Sequence, residues 1–359
     1  MNFDLQWQPF AAIWEINARI GPQCSDSPVP TSNDDLELTD KEAERLLRDV
    51  AELRPRVFVM AGADPLRRSS IYSLVQYAAS CGLHPVLALS PESDVTRTTI
   101  AELKHSGLSR LELVLEGGSA ETHDRNCNLA GSFERTVNAL RWANEFRLPV
   151  QVHTHLGRRN LGELESISYL LQGFRILSWS ISFPVPQPEG PLHDLPSAAE
   201  FEEAFARLYS ISQSVPFKVK TVDAPHYRRF VVQQRSRLKA GSAGPVAFSS
   251  AENGIPGVLS INEGVASIFL SSTGDIYPSK WLRLPAGNVR RHNLAAVYRN
   301  SSLFDSLRDS AKLKGKCGDC EFKQMCGGSR ARAWALSGDM FNEETTCSYQ
   351  PAVAARKAG

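Results

Sequence analysis

Four cysteines near the carboxyl end of the sequence are spaced as metal ligands. Cys317 and Cys320 form a C-x2-C pair, Cys326 follows after five residues, and Cys347 follows after twenty more. A C-x2-C pair lets two thiolates bind one metal centre from a tight turn, where Gly318 tolerates unusual backbone dihedrals. Four such thiolates suit tetrahedral zinc or a 4Fe-4S cluster. The spacing alone does not separate the two, although zinc is the commoner structural metal.

The remaining three of the seven cysteines, Cys24, Cys81 and Cys127, are dispersed along the chain. An odd number of cysteines is a poor basis for a disulfide framework. The first residues show no basic stretch followed by an apolar core, so no secretory signal is expected. We therefore expect a cytoplasmic protein with reduced thiols.

The charge balance excludes two classes of partner. The chain has 40 basic and 39 acidic side chains, which gives a net charge of +1. Such a balance argues against a general nucleic-acid coat, and no polybasic run indicates an anionic membrane anchor. No apolar run approaches the ~18 residues of a membrane span. We expect neither nucleic acid nor a membrane as a partner.

The elements that position these cysteines are predicted from six apolar runs of β type. The runs alternate with amphipathic helical patterns, as in the βα units of a parallel sheet. The candidate strands are 13–16, 57–60, 85–89, 111–115, 150–153 and 176–183. Six units are too few for a closed eight-unit barrel, and they suit an open doubly wound sheet or a partial barrel.

One run favours the barrel. Along 150–156, apolar residues alternate with Gln151, His153 and His155. The polar side would face a lumen, and because a filled barrel core would be apolar there, the lumen is expected to hold a ligand. The two histidines are candidate ligands of a metal or haem iron, with Cys24 or Cys127 near the barrel mouth. We favour hydrogen-bonded cavity histidines, since ligation needs convergent geometry that spacing does not supply.

The residues around the four cysteines identify the segment more specifically than the spacing of the cysteines does. The sequence CGDCEFKQMCGGSRARA at 317–333 resembles the SPASM auxiliary-cluster domain of radical S-adenosylmethionine (SAM) proteins, and GD at 338–339 and CSYQP at 347–351 continue the match. Other segments resemble the branch that trims side chains of haem-type tetrapyrroles. They are ETHD (121–124), GSFERT (131–136), RRN (158–160), APHYRR (224–229), GDIYP (274–278) and GNV (287–289).

This resemblance implies an α/β fold. A partial (β/α)6 TIM-like barrel would occupy residues 1–235, a linker 236–262, and a small Cys-rich SPASM-type iron-sulfur domain 263–359. The resemblance also shifts the expected metal from zinc to one carboxyl-terminal 4Fe-4S cluster. Its ligands would be Cys317, Cys320, Cys326 and Cys347.

The defining motif of the family is incomplete in this sequence. In the family, C-x3-C-x2-C after the first strand holds a 4Fe-4S cluster, and SAM ligates its fourth iron. The corresponding positions here are Ile20, Cys24 and Ser27. One cysteine does not hold a cubane. SAM would therefore lose its main anchor and its source of an electron.

Other segments that contact SAM in the family also differ. The second-strand motif Gly-Gly-Glu/Asp-Pro is AGADP at 61–65, and Ser-Leu-Asp-Gly after the fourth strand is VLEG at 114–117. The remnant of a SAM site would then comprise Cys24, Gly62, Asp64 and Glu116.

Three further residues have two interpretations each. Arg330 and Arg332 could pair with substrate carboxylates or neutralise a net-negative cluster, and we favour the second role. His226 could touch a substrate or pack within a loop.

These observations favour a non-catalytic member of the family. Its expected role is binding, electron relay or accessory function in tetrapyrrole or peptide modification, beside an active radical SAM paralogue or a reductase. One alternative is an active radical SAM oxidoreductase with an atypical first cluster. The other is a zinc-bound structural protein.

Overall fold

The computed structural model describes residues 4–18, 36–186, 194–240 and 264–352. Its strands are β1 (Ala11–Glu15), β2 (Val57–Ala61), β3 (Pro85–Leu89), β4 (Arg110–Val114), β5 (Val150–His155), β6 (Ser178–Ser182), β7 (Lys218–Val222), β8 (Ser267–Leu270), β9 (Asp275–Tyr277) and β10 (Gly287–Asn288). They form one sheet in the order β10-β9-β8-β1-β2-β3-β4-β5-β6-β7. Strands β1 to β7 are parallel to their neighbours, and β8 lies parallel to β1.

The helices lie between successive strands along the chain or, for the last four, after β10. They are α1 (Asp40–Leu53), α2 (Ile71–Ser80), α3 (Arg97–His105), α4 (Ala120–Cys127), α5 (Ser132–Glu145), α6 (Leu164–Leu171), α7 (Ala198–Ser214), α8 (His226–Ala240), α9 (Leu294–Asn300), α10 (Ser302–Arg308), α11 (Gly315–Gly318) and α12 (Arg330–Ser337). No described helix combines the length and apolar character that crossing a membrane requires.

Local sequence signals explain where several helices begin. The Thr39 hydroxyl accepts the Glu42 amide at 3.4 Å, and the Glu42 carboxylate accepts the Thr39 amide at 2.9 Å. This capping box satisfies two amide donors at the start of α1. The same reciprocal pair, Ser197 and Glu200, begins α7. Apolar residues of both helices pack against the sheet in one continuous core.

The predicted α/β fold with a parallel sheet is confirmed, and each of the six predicted strands overlaps one of β1 to β6. Strand β7 was not predicted, because the apolar pattern of its sequence Lys-Val-Lys-Thr-Val is too short to indicate a strand. Strand β8 was not among the six predicted strands, and its place beside β1 joins two segments that are distant in sequence. Helix α8 reaches Ala240, beyond residue 235 where the barrel was predicted to end. Most of the predicted linker lies outside the described residues, and the three-part division stays a prediction.

Candidate functional site

The four carboxyl-terminal cysteines meet around one small cavity, which we call the tail cavity. Cys317 lies in α11 and Cys320 follows it, while Cys326 and Cys347 come from the segments on either side of α12. All four are reduced cysteines outside any disulfide. The chain passes close by at Gly328, which has a φ of +67°, and a Cβ there would lie 3.3 Å from the Cys317 sulfur. Glycine is therefore required at this approach.

Each of the four sulfurs accepts a backbone N–H. The Glu344 amide donates to Cys317 at 3.3 Å, the Phe322 amide to Cys320 at 3.4 Å, and the Gly328 amide to Cys326 at 3.5 Å. The Tyr349 amide donates to Cys347. Hydrogen bonds of this kind favour the thiolate over the thiol.

Burial opposes that preference and raises the pKa of all four thiols. Cys326 is buried and the other three cysteines are half-buried, so four thiolates here need a cationic centre among them, as a metal cluster provides. Among the described residues, no three His, Cys, Asp or Glu side chains converge closely enough to hold a single metal ion. The four cysteines line one cavity, and four thiolates around a common space are the donor set of zinc or of a 4Fe-4S cluster.

Two arginines beside the tail cavity have defined partners. Arg332 is fully buried and its Nη1 lies 2.7 Å from the Glu344 carboxylate. It also donates to the backbone carbonyls of Pro184, at 3.0 Å, and Asp223, at 2.8 Å. Arg332 thus ties the tail to segments that follow β6 and β7. Arg330 donates to backbone carbonyls near the tail, and its charge acts to lower the pKa of Cys317.

A second, larger cavity of about 350 Å³ lies inside the curved sheet, and we call it the lumen. Its walls differ in character, since β1, β2 and β8 contribute apolar residues such as Ile13, Val59 and Phe269 beside one carboxylate, that of Glu15. Strands β4 to β7 contribute polar residues. These are Arg110, Glu112, Gln151, His153, His155, Ser180 and Lys220.

Hydrogen bonds join several polar side chains of the lumen. Arg110 donates to Gln151 at 2.9 Å, and Gln151 donates to Glu112. His153 Nε2 lies 2.9 Å from Ser182 Oγ, and its Nδ1 lies 3.8 Å from Glu112. Burial, together with the neighbouring His155 ring, lowers the pKa of His153 to about 3. His153 is therefore a neutral, hydrogen-bonded cavity residue at pH 7.

His155 pairs with Glu116, which comes just after β4. The imidazole Nδ1 lies 2.5 Å from Glu116 Oε1, and the His155 amide donates to Oε2 at 3.1 Å. Glu116 is 1% exposed, and burial raises its pKa to about 7. The structure thus joins one residue of the predicted SAM remnant to one of the predicted lumen histidines.

The raised pKa of Glu116 predicts a pH-dependent stability. Its ordinary pKa is 4.5, so the folded state binds a proton more tightly than the unfolded state. The associated stability is fully present below pH 4.5 and is lost as the pH rises through about 7, a loss on the order of 3 kcal/mol. Urea unfolding measures the free energy of unfolding at pH 5 and pH 8. The part of its decrease that is due to Glu116 should be absent from Glu116→Gln. The exposed control Glu121→Gln should keep the wild-type loss, and an unchanged loss in Glu116→Gln would contradict the assignment.

Gly62 and Asp64 stabilise the turn after β2. A Cβ at Gly62 would lie 2.3 Å from Asn17 Oδ1, so the chain after β1 packs directly on this glycine. The Asp64 carboxylate accepts the Leu66 amide at 3.2 Å and the Ser93 hydroxyl at 2.8 Å. Gly62 lines the lumen. Cys24, with the neighbouring positions 20 and 27, lies outside the described residues.

Comparison with known proteins shows the family. A family model described as the Radical SAM superfamily matches residues 20–168. The chain is 32% identical over 349 residues to the AdoMet-dependent heme synthase of Methanosarcina barkeri, a match that covers 96% of this chain and 97% of that protein. This chain belongs to the radical SAM superfamily.

Two further proteins are similar to nearly the whole chain. The PqqA peptide cyclase of Bradyrhizobium diazoefficiens is 24% identical over 354 residues, covering 96% of this chain and 87% of that protein. The crystal structure of SuiB from Streptococcus suis superposes with a TM-score of 0.73 at 14% identity. That match covers 96% of this chain and 78% of SuiB, and it supports the fold.

Two described cysteines of this radical SAM protein lie outside the tail. Cys127 is buried in α4, where its sulfur lies 3.6 Å from His123 Nε2. Cys81 follows α2 and precedes β3, which places it at the amino edge of the sheet. Among the described residues, no cysteine lines the lumen.

The sequence analysis missed several lumen residues. Arg110 and Glu112 alternate with buried leucines along β4, and Lys220 lies between the buried Val219 and Thr221 of β7. The same alternation that indicated the polar face of β5 was available for β4, where only the apolar residues were considered.

Proposed function

We propose that this protein is a radical SAM superfamily member that holds one 4Fe-4S cluster in its tail and does not cleave SAM. The observation that carries the proposal is the loop after β1, where Ile20, Cys24 and Ser27 occupy the three thiolate positions of the family. A cubane needs three protein thiolates when SAM supplies the last ligand, and this loop offers one.

The other cysteines do not replace the missing two. Cys127 is engaged with His123 inside the helical layer, and Cys81 lies at the amino edge of the sheet. Strand β1 ends at the opposite, carboxyl edge of the sheet.

The tail is suited to the remaining cluster. Cys317, Cys320, Cys326 and Cys347 would hold it, and the backbone amides around them would stabilise its negative charge. A bound 4Fe-4S cluster supplies a one-electron redox centre. Zinc is the other metal that four thiolates hold, and the resemblance of this segment to the SPASM domain favours the 4Fe-4S cluster.

The lumen supports a ligand with both apolar surface and carboxylates. Its apolar wall suits a flat ring, and cationic side chains lie at several points around it. These are Arg110, Lys220, Lys280 and Arg283. Carboxylated tetrapyrroles have this chemistry, and the relative from Methanosarcina barkeri is named as a heme synthase. A peptide is the other candidate ligand, because a relative of similar coverage is named as a peptide cyclase.

A protein with these two sites has a binding or electron-relay role. The tail cluster would exchange single electrons while the lumen holds the ligand. The chemical change of the ligand would then fall to a partner, either an active radical SAM paralogue or a reductase.

A second candidate function is an active radical SAM oxidoreductase with an atypical first cluster. It is favoured by the match along nearly the whole chain to a relative named for AdoMet dependence. Other residues would then have to rebuild the first metal site.

Production of 5′-deoxyadenosine separates the two functions. The anaerobic, iron- and sulfide-reconstituted protein is incubated with SAM and dithionite, and the heme synthase of Methanosarcina barkeri is run in parallel. We expect no 5′-deoxyadenosine above the enzyme-free blank, because without the first cluster no iron binds SAM and delivers an electron to it. Accumulation of several equivalents per chain would establish the second function and reject the first.

A further inference from the structure

His226 lies in the wall of the tail cavity together with the four cysteines. It is the first residue of α8, just after β7, and its side chain is fully buried. The turn between these elements is fixed, since Asp223 has a φ of +59° and its carbonyl accepts from Arg332. The backbone therefore holds His226 at this place.

Both ring nitrogens of His226 are buried without a hydrogen-bond partner among the described residues. A buried polar group that lacks a partner costs about 1–3 kcal/mol. Its ring neighbours are Phe201 and Phe205, with centroids at 5.1 and 4.8 Å, and neither offers an acceptor for an N–H. The imidazole is thus positioned by aromatic packing while its polar atoms lack a partner.

The tail cavity is where a partner would be found. An imidazole carries at least one N–H donor in either charge state. The sulfides and thiolates of an iron-sulfur cluster are acceptors, and they would stand in the cavity that His226 lines. A cluster sulfur would satisfy the donor nitrogen of the ring.

We propose that His226 donates an imidazole N–H hydrogen bond to a sulfur atom of the tail cluster. The inference rests on the proposed function, since it requires that the cluster binds there. A hydrogen bond to sulfur stabilises the more negative, reduced form, so His226 raises the reduction potential of the cluster. His226 is a positioning residue that tunes this one-electron centre.

The same segment reaches the lumen. Asp223 lines the lumen, and its Oδ2 accepts from Trp281 Nε1 at 3.0 Å. Val222 also lines the lumen, at the end of β7. Residues 222–226 therefore connect the proposed ligand site to the proposed cluster, which places His226 on the short route between the two.

Pulsed EPR of the reduced holoprotein tests the contact directly. The protein is prepared with histidine that carries ¹⁵N in the ring alone, so backbone amides contribute no ¹⁵N signal. We expect a ¹⁵N hyperfine coupling to the cluster in the wild type and its loss in His226→Gln. A cluster without ring-nitrogen coupling in the wild type would overturn the inference, whereas a protein without iron would refute the proposed function itself.

Redox titration measures the consequence. In His226→Phe, which keeps an aromatic ring and removes the donor, the ratio of reduced to oxidised cluster at the wild-type midpoint should fall about tenfold, equal to a shift of about 59 mV. His226→Gln keeps an N–H donor and should recover most of the shift. The packing control Phe304→Leu, a buried aromatic residue that packs on Tyr298 and does not line the tail cavity, should leave the midpoint unchanged. An unchanged midpoint in His226→Phe, or equal shifts in all three variants, would contradict the proposal.

Discussion

Replacing Glu344 by glutamine should lower the free energy of unfolding by about 3–5 kcal/mol, because it leaves the Arg332 guanidinium buried without its counter-charge. The two side chains are 1% and 0% exposed and lie 2.7 Å apart. Burial alone would raise the pKa of Glu344, but the charge of Arg332 and the hydrogen bonds from Thr346 and Ser329 hold it at about 2. The carboxylate is therefore ionised at pH 7, where the comparison is made by urea unfolding of the anaerobic holoprotein.

A double-mutant cycle separates the pair from the other bonds of its members. Arg332→Met also removes the donors to Pro184 and Asp223, so it should be destabilising as well. The double variant Arg332→Met/Glu344→Gln should lose less than the sum of the two single losses, because neither charge remains buried alone. The exposed pair Arg97–Glu145 is the matched control, and Glu145→Gln should cost less than about 1 kcal/mol. Additive losses in the cycle would show that the pair contributes no coupling.

The sequence predicted the parts of this molecule that depend on local patterns. Alternation along 150–156 placed Gln151, His153 and His155 on one face of a strand, and all three line the lumen. The spacing of the tail cysteines predicted a common site, and their four sulfurs do line one cavity. Both patterns lie within one continuous segment of the sequence, so they can be recognised without knowledge of the fold.

The contacts that join distant segments were not predictable in this way. Arg332 lies beside the cysteines in sequence, yet its partners include backbone carbonyls of Pro184 and Asp223. Glu116 and His155 come from neighbouring strands, and their pairing follows from the sheet register. The unpartnered ring of His226 depends on how α7 and α8 pack. Such partners are set by tertiary geometry, which a single sequence does not specify.

We propose that the protein holds a cluster at its tail and none at the loop after β1. Cysteine substitutions should therefore change the iron content in the tail and leave it unchanged at that loop. Removing two tail ligands in Cys317→Ala/Cys320→Ala should eliminate the cluster, because two thiolates do not hold a cubane. Cys24→Ala should leave the iron content unchanged, since that thiol would hold no cluster. Cys81→Ala, outside both sites, is the control for removal of a cysteine.

Mössbauer spectroscopy with iron and sulfide counting on the anaerobically reconstituted protein measures this most directly. We predict about four irons per chain as a single 4Fe-4S cluster in the wild type, in Cys24→Ala and in Cys81→Ala, and almost none in the double tail variant. About eight irons in the wild type, with half of them lost in Cys24→Ala, would contradict the account. Zinc in place of iron would contradict it as well.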